Sequence, residues 1–156
     1  MCLLIYSETK SVRLSYIFHH IFDHILGLDI EITHDSDFFK KSLYPKLNYS
    51  KKAFSNELFF HASDLLFEDD IKHQDLYFST YQGVKVFFLC SQGVLPFDPF
   101  AASFYMLTRY EEYISNKEDH IGRFLVEDSI AFKQEFITTP VVDYWILFIK
   151  EQLLNF

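Results

Sequence analysis

The clearest periodicity in the chain lies between Ser11 and Gly27, where Leu14, Ile17, Phe18, Ile21, Phe22, Ile25 and Leu26 recur at three- and four-residue spacing. That spacing predicts an amphipathic helix. Ser11 stands where an N-cap belongs and Gly27 where a helix ends. Before it, Cys2–Tyr6 is a short apolar run; after it, Leu28, Ile30 and Ile32 alternate with Asp29 and Glu31. Strand, helix, strand with short connections predicts a right-handed parallel crossover. Further on, Lys46–Tyr49 and Glu57–Phe60 read as short strands, and Leu65–Phe67 as an apolar patch ahead of Glu68-Asp69-Asp70. Leu76–Tyr81 and Val84–Leu89 flank Gln82-Gly83, which predicts a β-hairpin with the glycine at positive φ. Asp98 followed by Pro99 starts a helix expected to run to about Ile114. A last helix is expected from Pro140, capped by Thr139, to about Leu154; Val141–Ile149 is apolar on most faces, so this helix should be largely buried. No repeat or linker divides residues 1–156. The expected fold class is α/β: one domain with a mixed β-sheet, a parallel β-α-β start, a hairpin, and helices packed on the sheet.

Composition sharpens this in three ways. With 19 Phe and 10 Tyr among 156 residues, the core should be built on large rings in offset and edge-on contact. A formal charge of −8 with no basic stripe argues against nucleic acid as a partner. Cys2 and Cys90 are far apart and neither belongs to a CxxC pair, which excludes a cysteine-based zinc site. The longest strongly apolar run, Tyr144–Ile149, is far short of the roughly 18 residues a membrane span needs. Without a basic N-terminal region or an apolar run long enough for a signal segment, the expectation is a cytoplasmic chain with no membrane partner. Nothing in the pattern sets an oligomeric state.

Candidate chemistry is sparse. His20 and His24, four apart on the first helix with Asp23 between them, are the nearest approach to a metal pair. Their helical positions place His24 at the edge of the apolar stripe and His20 on the polar face, so no metal site is expected. Glu68-Asp69-Asp70 reads as an exposed turn. The isolated glycines form no phosphate loop, no nucleophile elbow is present, and Cys90 lacks an evident activating base. No catalytic residue and no cofactor are therefore assigned. The exception is the polar network in Phe97–Phe124: Asp98, Arg109, Tyr110, Glu111, Glu112, His120 and Arg123. Arg109 and Glu112 are one helical turn apart and can pair. Glu111 shares a face with Phe100, Phe104 and Leu107, so it points partly coreward and needs a partner, for which Arg123 is the candidate. The network is either a structural clamp that fixes the following loop or a ligand or docking site.

The segments Phe97–Tyr105, Arg109–Tyr113 and His120–Phe124, with Asn48-Tyr49-Ser50, Leu58-Phe59-Phe60 and Leu3-Leu4-Ile5-Tyr6, resemble the N-terminal domain of bacterial polysaccharide deacetylase-family proteins, found mainly in the Bacteroidetes. The resemblance covers nearly the whole chain. In such proteins a metal-dependent carbohydrate-esterase barrel follows, with an acidic pair and then a His-x-x-x-His motif. Here Asp69-Asp70 and His20/His24 occur in the reverse order and on other elements, and residues 1–156 contain no barrel, so no deacetylase residue is carried over. The resemblance implies a non-catalytic accessory domain that docks on or positions a carbohydrate-esterase domain, downstream or as a partner chain. The alternative is a small ligand-binding protein or enzyme using the region of Asp98, Arg109, Glu112 and Arg123.

Overall fold

The computed structural model describes residues 2–115 and 119–156. Its centre is a four-stranded parallel sheet formed by β1 (Cys2–Ser7), β2 (Asp29–Thr33), β3 (Lys46–Ser50) and β4 (Leu58–His61), in the order β2-β1-β3-β4. The predicted crossover is present. Helix α1 (Val12–Phe18) starts at Ser11, whose hydroxyl accepts from Leu14 N, and the chain returns as β2 with Leu3 beside Ile30 and Ile5 beside Ile32. From β2 the chain passes over β1 through α2 (Ser36–Lys41), which the sequence reading missed. Asp35 caps this helix by accepting from Asp37 N and Phe38 N. Six residues are too few for a periodicity to stand out.

Alternation along the strands gives the sheet two faces. Leu4 and Tyr6 pack with Phe39 of α2 and with Phe54 of the β3–β4 connection. Leu3, Ile5, Leu47, Tyr49, Leu58 and Phe60 face the larger core, built with α1, α3 (Pro99–Leu107) and α6 (Val141–Asn155). The hairpin pairs β5 (Ser79–Tyr81) with β6 (Val84–Val86), shorter than the apolar runs suggested, as a separate antiparallel sheet. Its turn has positive φ at both Gln82 and Gly83, a geometry that matches the strand twist. It packs on α6: Trp145 Nε1 donates to Lys85 O at 3.1 Å, and Tyr81 meets Phe148 edge-on.

Three predicted helices differ from expectation. The first does not stay α-helical: from His19 to Ile25 it widens into a π-helix, with Leu26 N donating to Ile21 O. The widened turn changes which residues face the core. Ile25 ends up 47% exposed and His24 exposed, whereas His20 is half-buried and stacks on Tyr16. The Pro99 helix ends at Leu107, because Arg109 adopts a left-handed conformation (φ 54, ψ 42) and α4 (Tyr110–Ile114) sets off in a new direction. Thr108 accompanies the break by donating its hydroxyl back to Phe104 O at 2.6 Å, a bond that bends helices. The last helix starts at Val141 after Pro140, and no side chain caps it, so Thr139 does not have the expected role. The short α5 (Ile130–Lys133) precedes it, capped by Ser129.

One buried carboxylate joins these layers. Asp98 is fully buried, and its Oδ1 accepts from Phe100 N and Ala101 N at the start of α3. Its Oδ2 accepts from Tyr49 OH of β3 at 2.6 Å and from Ser63 N, just past β4, at 2.7 Å. Phe100, two residues on, meets Phe18, Tyr49 and Phe60 edge-on. Tyr49→Phe keeps the ring packing and removes one bond to the carboxylate, so it is expected to cost about 1.5–3 kcal/mol. Asp98→Ala loses the cap and strands buried donors, and roughly 3–5 kcal/mol is expected. Urea denaturation of both variants tests the order; equal stability of Asp98→Ala and wild type would refute it.

Candidate functional site

The sequence network separates into three pieces with different roles. Asp98 accepts four hydrogen bonds from within the chain, which leaves it no open position for a ligand. Burial pushes its carboxyl pKa up, against the lowering effect of its donors. Arg109 pairs with Glu112 as expected, Nε donating to Oε1 at 2.6 Å, but the pair lies on the surface, with the Arg109 side chain 74% exposed. Arg123 belongs to a closed turn: its N and Nε donate to Asp119 Oδ1 and Oδ2, each at 2.8 Å, and Ile121 N donates to Oδ1. Those backbone and guanidinium donors hold the Asp119 carboxyl below its usual range. His120 is an exposed residue of that turn.

The expected Glu111–Arg123 pair is therefore not formed. Two local effects divert it. Asp119 captures the arginine within the turn, and the break at Arg109 swings Glu111 toward α5, where its Oε2 accepts from Ile130 N at 2.9 Å. Burial raises the Glu111 pKa, with Glu112 adding to the rise and Lys133 opposing it. Tyr110 is buried, and its hydroxyl clasps the backbone of Lys72, lying 3.0 Å from N and 3.1 Å from O.

Glu111 lines a cavity of about 620 Å³ between the segment at residues 73–78, the α3–α4 corner and α5. Its walls include Phe78, Tyr105, Ile114, Phe124 and Lys133. Tyr105 is 3% exposed, its ring walled by Phe87, Phe88 and Tyr110. Its hydroxyl makes no hydrogen bond among the described residues. Burial and the nearby Glu111 charge both push the phenol pKa up. Sequence reasoning found Glu111 by its coreward face and missed Tyr105, which looked like one more core ring.

The remaining polar ground is at the carboxyl ends of the strands. Strand order reverses between β1 and β3, the position where open parallel sheets commonly receive ligands. Here local bonds close it: Lys51 N donates to Glu8 Oε1, Ser7 Oγ to Thr9 O, and Ser50 Oγ to Lys52 O. Beside it a cavity of about 460 Å³ is lined by His61, Asp64, Glu68 and Cys90. Burial raises the Cys90 thiol pKa to about 11, so it is not a thiolate at neutral pH. Arg13, not singled out from sequence, ties α1 to the next segment by donating to Leu65 O and Asp70 O, and its guanidinium lies over the rings of Phe104 and Tyr110. Among the described residues no group of three or more His, Cys, Asp or Glu side chains is placed to share a metal, and no helix is long and apolar enough to cross a membrane.

Two outcomes follow from this placement. Stability effects of Glu111→Ala and Arg123→Ala should add within about 0.5 kcal/mol; a larger coupling in a double-mutant cycle would contradict the geometry. Because the Glu111 pKa is raised on folding, the native state binds more protons than the unfolded chain between 4.5 and the raised value. Its contribution to stability thus falls as pH rises through that window. Glu111→Gln keeps an oxygen for Ile130 N and should flatten that part of the pH profile, measured as the difference in denaturation free energy from wild type.

No curated protein and no solved structure matches the chain. Residues 3–156 match a family of unknown function, DUF7033, and the chain belongs to it.

Proposed function

We propose that this domain is a non-catalytic accessory module that docks on or positions a carbohydrate-esterase domain of the polysaccharide deacetylase kind, in the cytoplasm. The observation that carries the reading is the internal commitment of its polar groups. Asp98 is saturated by its own fold, Arg109 and Arg123 are paired within their own turns, and the thiol of Cys90 donates to Leu95 O. Hydrolysis needs a nucleophile, a base and a charge stabiliser converging on one carbonyl. The polar groups of Asp98, Arg109 and Arg123 are held in cap and turn positions that support shape. The resemblance along Phe97–Phe124 supplies the class of partner.

Residues 1–156 alone are expected to give no turnover of an acetylated chito-oligosaccharide. Joined to a metal-loaded esterase barrel of the resembling proteins, they should raise its melting temperature or turnover while its metal content stays the same. Turnover by the isolated chain, or a barrel indifferent to the module, would reject the proposal.

A second reading, a small ligand-binding protein, is favoured by one observation: a cavity lined by both Glu111 and Tyr105, whose hydroxyl has no partner among the described residues. This moves the alternative site away from Asp98, Arg109, Glu112 and Arg123.

A further inference from the structure

We propose that the cavity between residues 73–78, the α3–α4 corner and α5 binds a small organic amine, its ammonium held between Glu111 and Tyr105 and its apolar body against Phe78 and Phe124. The proposal rests on the ligand-binding reading and names the ligand class.

The starting point is an imbalance of hydrogen bonds. Tyr105 is 97% buried by its 3% exposure, yet its hydroxyl has no partner among the described residues. Tyr105 lines the cavity, where a hydroxyl left without a protein partner is free to bond water or a ligand. Beside it, Glu111 uses Oε2 for Ile130 N, and Oε1 has no bond from within the described residues. Two acceptors, a carboxylate oxygen and a phenol oxygen, thus line one cavity with one backbone donor already spent.

Charge decides what they accept. Glu111 has no cation within salt-bridge distance among the described residues. The nearest wall cation, Lys133, lies 3.8 Å from Asp128. Burial of this half-buried carboxylate raises its pKa more than Ile130 N and Lys133 lower it, so its charge is held at a cost. An anionic ligand would worsen that; an ammonium would relieve it. The ring faces nearby add cation–π attraction, about 0.5–2 kcal/mol per good contact. The volume of about 620 Å³ falls within the range of small-molecule sites, which bury most of a ligand's surface.

The test uses three probes of one shape and different charge: tyramine, the neutral alcohol tyrosol, and 3-(4-hydroxyphenyl)propionate. Amide chemical-shift titration of residues 1–156 is expected to move the Glu111, Ile114 and Ile130 resonances with tyramine, at least tenfold tighter than with tyrosol, and with no response to the propionate. Glu111→Gln should weaken tyramine at least tenfold, and Tyr105→Phe by a few fold. Should either variant fail to fold, wild-type pH dependence replaces it. Tyramine affinity should fall as pH drops through the raised pKa of Glu111, and the same series is run in His73→Ala, since His73, Asp75 and Asp128 also face this cavity and Glu112 and Lys133 act on the same carboxylate. Equal binding of tyramine and tyrosol overturns the amine assignment and leaves a ligand site standing. An unchanged affinity in Glu111→Gln overturns it as well. No shift with any of the three probes overturns both the assignment and the ligand-binding reading.

Discussion

A single fully buried carboxylate, Asp98, accepts donors from three parts of the larger core and holds them in register. Its four bonds reach the start of α3, the hydroxyl of Tyr49 on β3 and the backbone after β4. Burying an unmet carboxylate is costly enough that the group would protonate or unfold its site. Here the donors are backbone and phenol groups that exist only when the sheet and α3 have met. The carboxylate therefore rewards the assembled state and penalises every partial one. The rings follow from this: Phe100 is fixed by the cap at Asp98, and it is Phe100 that Phe18, Tyr49 and Phe60 pack around.

What could be read from sequence was what depends on nearest neighbours. Ser11 and Asp98 cap the helices they were expected to cap, because an N-cap needs only its own side chain and the next turn. The parallel start was legible because Leu3-Leu4-Ile5-Tyr6 and the Asp29–Ile32 alternation flank a strong helical period. The β3–β4 pairing was not: the parallel partners Leu47 and Leu58 are joined through residues 51–57 without a helix. That return is possible because both strands are short and Phe54 fills the space against Tyr6 and Phe39.

The misread course of the first helix and of the Pro99 helix has one cause. Helical spacing was extended through places where the backbone changes its period. The π-turn from His19 to Ile25 and the left-handed Arg109 each leave hydrophobic periodicity intact in the string of letters while rotating everything after them. Arginine carries no signal for positive φ, unlike glycine or asparagine. Glu111 was correctly found to need a partner, since its coreward placement survived. The identity of that partner did not, because Asp119 captures Arg123 and the course of α4 brings Glu111 to Ile130 N.

The break at Arg109 also shapes the cavity beside Glu111. With the break, α3 ends with Tyr105 buried, α4 carries Glu111 back over it, and α5 is tethered to Glu111 from outside. The corner is held open by directional bonds: Thr108 to Phe104 O, Tyr110 to Lys72 and Glu111 to Ile130 N. A fold with so many large rings had the means to fill the space with one of them. Phe78 and Phe124 wall it without filling it, and the Glu111 carboxylate beside them keeps a pKa raised by burial.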